Sequence, residues 1–308
     1  MKGEIIKIGT RKSKLAMWQA HYVADLLDKG GFQSELVPIE TRGDKIQNRS
    51  LSKIGSKGVF TEELEMMLKS GQVDIAVHSA KDLQSKLPNG FIVLSFCKRE
   101  APDDVIVSEK EIDLNQPNLI LGTSSTRRIA MLRHFYPHIK TIEARGNLQT
   151  RMEKLKAGIM DGLVLAYAGV RRMNYDDKIQ CWLDTERFVP PAGQGSVAIE
   201  IHERLNPEIA SRIKELTNHA LTEKVLLTER AFLRRMDGGC SIPVFSHARM
   251  EADGQIVLVG GIFSLDGEKL VKRTMYGNEP ETLGYSLADE VLQSGGKKIL
   301  EDIKSSLA

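Results

Sequence analysis

The stretch MDGGCSIPV at 236–244 sets a cysteine directly behind two glycines at the end of a helix-like run. Glycine pairs follow backbone paths closed to other residues, so Cys240 reads as displayed rather than packed. A displayed thiol has two chemical uses. It can be an activated thiolate in acyl transfer, which needs a partner histidine, or it can carry a group permanently. Spacing alone does not choose between them. Cys97 and Cys181 lie far away in the chain, so neither a disulfide framework nor a CxxC metal site is expected, and no metal is assigned.

A second chemistry is anion binding. In LILGTSSTRR an apolar strand runs into Gly122, Thr123, Ser124 and Ser125, and Arg127 and Arg128 follow in the first turn of a helix. Free N–H groups, hydroxyls and guanidinium forks at such a turn hold carboxylates or phosphates well. An ordinary helix cap with solvated arginines is the other reading. The next strand delivers EARGN, with Arg145, and Arg151 lies six residues later on the following helix. These repeated arginines converge on one strand-end edge, where open α/β sheets bind ligands. HSAKD ends another apolar strand and supplies His78, Ser79, Lys81 and Asp82. A strand-end carboxylate facing a basic cleft stabilises a cationic intermediate or moves a proton. His78 by itself reads as a hydrogen-bonded structural residue.

These groups need elements to hold them. The chain has 308 residues, 41% of them hydrophobic, enough for two or three domains with substantial cores. The net charge of only +2, with no aromatic residues interleaved among the basic ones, argues against nucleic acid. MKGEIIKIGT enters an alternating strand pattern at once, without an export-signal pattern, and no apolar run reaches membrane-spanning length. A cytoplasmic protein with no membrane partner is expected. EIIKIGT, SKLAMWQAHYVADLLDKGG and FQSELVPIET form a βαβ opening. A long polar loop follows, then the helix TEELEMMLKSG, capped by Thr61, and the buried strand VDIAVHS. From about residue 100 the α/β alternation restarts, and RFVPPAGQGSVAIEIH suits a crossing back to the first domain. Beyond about residue 216 a helix precedes strands separated by DG turns, which is an α+β unit with an antiparallel sheet.

RKSKLAMWQA, KGVFTEELE, DIAVHSAKD, LGTSSTRR, EARGNLQTR, PAGQG and DGGCSIP, in this order across nearly the whole chain, resemble the porphobilinogen deaminase family. The resemblance implies a transferase that joins four porphobilinogen molecules head to tail, releases ammonia, and frees hydroxymethylbilane by hydrolysis from a retained primer. That primer is a dipyrromethane cofactor held through a thioether, which makes Cys240 a tether. Asp82 matches the family's catalytic aspartate. By motif position Lys81, Thr123, Ser124, Ser125, Arg127, Arg128 and Gly146 are expected at the cofactor. Arg11, Ser13, Arg145, Arg151, Arg172 and Gln194 are expected at the substrate, with Lys53 and Lys57 on a lid over about 42–58. The implied architecture is α/β and α+β in three domains: two periplasmic-binding-protein-like α/β lobes, at 1–98 with 194–215 and at 99–193, and a small α+β domain at 216–308. A monomer is expected. Gln84 stands where the family often has proline, which loosens the expected strand exit.

Two other classes stay open on the residues alone. A two-lobed protein that captures anions without chemistry leaves the DGGC turn unexplained, and a cysteine acyltransferase pairs Cys240 with His78 as base.

Overall fold

The computed structural model describes residues 5–45, 58, 60–239 and 241–307; Lys53, Lys57 and Cys240 lie outside them. The first sheet has the order β2-β1-β3-β10-β4. Its strands are β1 (Ile5–Arg11), β2 (Gln33–Ile39), β3 (Ile75–Ser79), β4 (Phe91–Phe96) and β10 (Val197–His202). The second has the order β7-β6-β8-β5-β9, built from β5 (Asp104–Val107), β6 (Ile120–Gly122), β7 (Lys140–Ile142), β8 (Gly162–Ala166) and β9 (Ile179–Trp182). Both sheets follow one plan. Three parallel strands are followed by an antiparallel strand that the chain enters from the other lobe, β10 in the first and β5 in the second. This is the paired-lobe architecture expected from the sequence. Two connections, over 97–103 and 183–196, therefore join the lobes.

Helices cover the sheets. The first lobe carries α1 (Lys14–Lys29), the single turn α2 (Arg42–Lys45), α3 (Glu62–Ser70) and α7 (Pro207–Thr217). Ile6, Ile8, Val23, Leu27, Ile75, Val77, Ile199 and Ile213 close its main core. The second carries α4 (Thr126–Phe135), α5 (Leu148–Lys156) and α6 (Tyr167–Arg172), with apolar clusters around Met131, Leu132 and Phe188 and around Met152, Leu155 and Leu163. Thr61 precedes α3 but makes no capping bond; its hydroxyl donates to Glu65 at 2.8 Å instead.

The third unit is the antiparallel sheet β11 (Val244–Met250), β12 (Ile256–Phe263) and β13 (Leu270–Gly277). Beside it lie α8 (Ala220–Arg235), α9 (Pro280–Val291) and α10 (Lys297–Leu307). Phe232 of α8 is fully buried, and a Cβ on Gly260 would fall 2.6 Å from its ring. A side chain at 260 would thus drive α8 off the sheet. The unit's core also takes in Leu83, Phe96 and Ala198 of the first lobe, while Phe245 and Phe263 enter the core of the second. The small unit braces both lobes.

At the end of α8 the left-handed residue is Asp237, at φ 46°, and not one of the glycines that follow. Gly238 serves packing instead: a Cβ there would lie 2.9 Å from Leu233. Gly239, next to the cysteine position, is exposed.

Candidate functional site

The carboxyl ends of the lobe strands face one another across a cleft. On the first lobe, β1 ends at Arg11, Ser13 caps α1 by accepting from the Ala16 N–H, and β3 runs into a 3₁₀ turn at Ala80–Asp82. Arg11, Ser13 and Asp82 line a cavity of about 70 Å³ together with Gln19, Phe60 and Ser79. Among the described residues the Asp82 carboxylate makes no hydrogen bond or ion pair. His78 also borders this cavity, yet it is buried with its Nε2 2.9 Å from Glu200. Gln84 ties the strand exit down: its amide donates to Glu65 at 3.2 Å, and its carbonyl accepts from Arg230 at 2.8 Å. Those bonds replace the stiffness that proline would provide.

On the second lobe, Ser125 caps α4 and accepts from the Arg128 N–H, while the Thr123 N–H donates to Ile142. The Ser124 hydroxyl is buried with no partner among the described residues. Arg127 and Arg128 turn inward. Each places a guanidinium 2.6 Å from one oxygen of Asp104, and each also donates to a backbone carbonyl, of Val189 and Val164 respectively. Burial favours the neutral form of Asp104, but Arg127 and Arg128 outweigh it and hold the carboxyl far below its usual range. Gly146, at φ 105°, turns the chain so that its carbonyl accepts from Arg151 Nε at 2.8 Å, and the Asn147 side chain caps α5. Arg145 is paired through Nε with Glu143 at 2.5 Å.

The PAGQG segment joins the two edges. Gly193, at φ 79°, lies so close to Ala80 that a Cβ would sit 2.8 Å from its carbonyl carbon. This approach needs glycine twice over, for the dihedral and for the space. It brings Gln194 to Lys81, whose ammonium donates to the amide oxygen at 3.2 Å, while the amide nitrogen donates to Asp104 at 2.9 Å. Beneath the turn, Glu229 of α8 accepts from the Gly193 N–H at 2.8 Å and pairs with Arg99 at 2.6 Å. Arg172 lies at this connection, donating to the Gly195 carbonyl at 2.7 Å with its guanidinium 5.2 Å from the Trp18 ring.

Electrostatics shows which groups share a space. Burial foremost, then the charge of Arg128, lowers the Arg151 pKa to about 10; Arg145 and Arg11 push the same way and Asp82 pushes back. Lys81 reaches solvent, yet the surrounding walls and then Arg128 bring its pKa down to about 8. Two lobes thus direct their cations at one region whose acids, Asp82 apart, are already engaged with arginines.

Sequence reasoning missed Asp104, Asp44 and Gln19. Asp104 opens a strand of otherwise apolar residues, and Gln19 sits on the buried face of α1 and donates to Ser79 at 2.9 Å. A polar residue in an apolar pattern was the available signal for both. Among the described residues there is no cluster suited to a metal ion, and no helix is long and apolar enough to cross a membrane.

Two family models match this chain: "Porphobilinogen deaminase, dipyromethane cofactor binding domain" over residues 6–225, and "Porphobilinogen deaminase, C-terminal domain" over residues 224–293. A porphobilinogen deaminase of Desulfosudis oleivorans is 48% identical over 97% of this chain and 98% of its own. One of Cytophaga hutchinsonii is 51% identical over 98% of each. Among solved structures, the methionine binding protein MetQ aligns with 69% of this chain and 89% of its own at a TM-score of 0.44 and 14% identity.

Proposed function

Because the chain belongs to the porphobilinogen deaminase family, we propose that Asp82 is its catalytic carboxylate and that the cations around it hold the carboxylates of substrate and cofactor. The enzyme is a transferase of porphyrin biosynthesis that joins four porphobilinogen molecules head to tail with loss of ammonia and frees hydroxymethylbilane by hydrolysis. The observation that carries the residue roles is the free carboxylate of Asp82 inside a cleft of arginines and lysine.

Each pyrrole brings an acetate and a propionate, so the ligand is a polyanion. Arg11, Arg145, Arg151 and Lys81 supply charge for it, and Ser13 adds a hydroxyl. When ammonia leaves porphobilinogen, its pyrrole nitrogen lone pair moves into the ring and positive charge gathers at the N–H. Asp82 stabilises that charge as a hydrogen-bond acceptor. The free α-carbon that bonds to the methylene left by ammonia must then shed its own proton to restore aromaticity, and the same carboxylate is placed to receive it.

The buried Ser124 hydroxyl without a partner, beside the α4 N-terminus and Arg128, suits an added carboxylate, so Thr123, Ser124, Ser125, Gly146 and Lys81 are read as holding the dipyrromethane. Arg127 and Arg128 support that turn from beneath through Asp104. When bound, the dipyrromethane supplies the free α-position on which the chain grows. Cys240 is read as its tether, and Lys53 and Lys57 as further anion contacts. Arg172 and Gln194 act where the lobes connect, Gln194 by fixing Lys81. The reading includes a cytoplasmic monomer with domains at 1–98 with 194–215, at 99–193 and at 216–308. Intact mass under denaturing, reducing conditions tests the tether. Two linked pyrrole units should be present and should vanish in Cys240→Ala, together with sustained ammonia release; a fully active Cys240→Ala enzyme would end this assignment. Sedimentation velocity tests the monomer.

A further inference from the structure

Among the described residues, Arg11 is the one arginine or lysine that lines the cavity shared with Asp82, and its guanidinium is held on two sides. Its Nε donates to Asp44 Oδ2 at 3.2 Å and its Nη2 to Asp44 Oδ1. Its plane lies over the Phe60 ring, 4.3 Å from the centroid. The turn that supplies Asp44 is built for this contact. Thr41 is fully buried, and its N–H and hydroxyl both donate to Asp44 Oδ2, at 3.2 and 2.8 Å. Gly43 lies against the same ring, where a Cβ would fall 2.1 Å from Phe60. Among the described residues Arg11 Nη1 has no partner.

We propose that Asp44 is a positioning residue for the reaction: it fixes the Nε edge of Arg11 so that the Nη1 edge is presented, already oriented, to a porphobilinogen carboxylate. The inference rests on Arg11 being a substrate contact. A guanidinium has five donors in a planar fork, and Asp44 uses one edge while a second carboxylate fits the other. Phe60 fixes the plane and Asp44 fixes the rotation within it, so little side-chain freedom remains to be lost on binding. In the contrary role, Asp44 occupies Arg11 and the substrate must displace it. The geometry opposes this, because the same carboxylate also accepts both donors of buried Thr41, and displacement would strand them.

The two roles predict opposite signs in steady-state kinetics of the holoenzyme, with cofactor content checked by intact mass. Asp44→Asn should raise KM for porphobilinogen about tenfold, the scale of one charge-assisted hydrogen bond, and change kcat less than about threefold. Asp44→Glu should recover part of the loss. Arg11→Gln should raise KM at least as much, and the double variant no further than Arg11→Gln alone, since Asp44 acts only through Arg11. An unchanged or lowered KM in Asp44→Asn, beside a raised KM in Arg11→Gln, overturns the positioning role alone. Additive effects in the double variant overturn it too. An unchanged KM in Arg11→Gln removes Arg11 from the substrate site, and the inference about Asp44 falls with it. Melting temperature separates these outcomes from misfolding: Asp44→Asn should melt within a few degrees of the parent.

Discussion

Two groups of charge share the cleft and differ in what neutralises them. Arg127 and Arg128 meet one buried carboxylate, Asp104, and each also donates to a backbone carbonyl, while the Nε of each is buried without a hydrogen-bond partner among the described residues. Arg151 and Lys81 have only uncharged partners, the Gly146 carbonyl and the Gln194 amide, among the described residues. Asp82 has none. The first group is an ionic core with its own carboxylate, and the second has no protein carboxylate paired to its cations among the described residues. A protein that leaves cations and a carboxylate unsatisfied in one enclosure destabilises itself slightly there, and a polyanion with acidic N–H groups relieves that cost. Motif position alone groups all these residues together, whereas their partners separate support from contact.

The sharpest way to break the comparison is to exchange one carboxylate from each group for its amide. Asp82→Asn should lower kcat by about 10²–10⁴-fold, the scale of a lost general base, with an unchanged melting temperature because no protein partner is lost. Loss of stability with near-normal turnover would move Asp82 into the structural group.

Asp104→Asn should do the reverse. Removing the charge leaves two buried guanidiniums uncompensated, which costs about 3–5 kcal/mol in stability. The sign with pH follows from the direction of its shift. Arg127 and Arg128 depress the folded pKa below the unfolded value of about 3.9, so this stability is present at neutral pH and is lost as pH falls below that value. Denaturant midpoints at pH 7 and pH 3 should differ more for the parent than for Asp104→Asn. Equal differences would show that Asp104 carries no special share of the ionic core.

What could be read in the chain itself divides along the same line. Thr123 to Ser125, Arg145, Arg151, Lys81 and Asp82 were legible because strand ends and helix starts have local signatures, and each residue lies just past a strand or within the first turn of a helix. Pairing was not legible. Asp104 meets Arg127 from 23 positions away, and Arg99 meets Glu229 across 130, distances over which no residue pattern signals contact. The sheets show the same divide. The βαβ opening follows from periodicity, whereas β5 and β10 reverse direction within parallel sheets because the chain crosses between lobes, a consequence of the whole topology. The helix end before Cys240 shows how a composition signal can mislead. Glycines suggest the left-handed turn, yet Asp237 adopts it and Gly238 is needed for its lack of a side chain against Leu233.

Within the unsatisfied group, Arg151→Gln should separate contact from support at a smaller scale. The substitution removes a charge that burial and Arg128 already disfavour, so melting temperature should stay constant or rise slightly. Porphobilinogen turnover at low substrate should fall by about tenfold to a hundredfold, matching the loss of one charged hydrogen bond. A large drop in melting temperature without a change in kcat/KM would place Arg151 beside Arg127.

The smallest effect belongs to Lys81, and it appears as a pH dependence. Its pKa of about 8 in the free site lies below its ordinary 10.5, first because the cleft walls disfavour the charge and then because Arg128 repels it. Its side chain still reaches solvent, so water screens part of that repulsion and the titration is shallow. Folding therefore releases a proton between those two values. The cost of keeping Lys81 charged is full below pH 8 and is relieved as pH rises towards 10.5. Anion binding has the opposite trend. A carboxylate beside the ammonium raises its pKa, so above about pH 8 the ligand must bring a proton with it, and affinity falls by at most about tenfold per pH unit. Calorimetric titration of the Cys240→Ala chain with porphobilinogen between pH 7 and 9.5 reads both quantities. Affinity should weaken above pH 8 with net proton uptake, and Lys81→Met should bind more weakly throughout without that extra slope. A parent affinity as flat with pH as that of Lys81→Met would mean that Lys81 holds its charge without a ligand, and it would then belong with the structural cations.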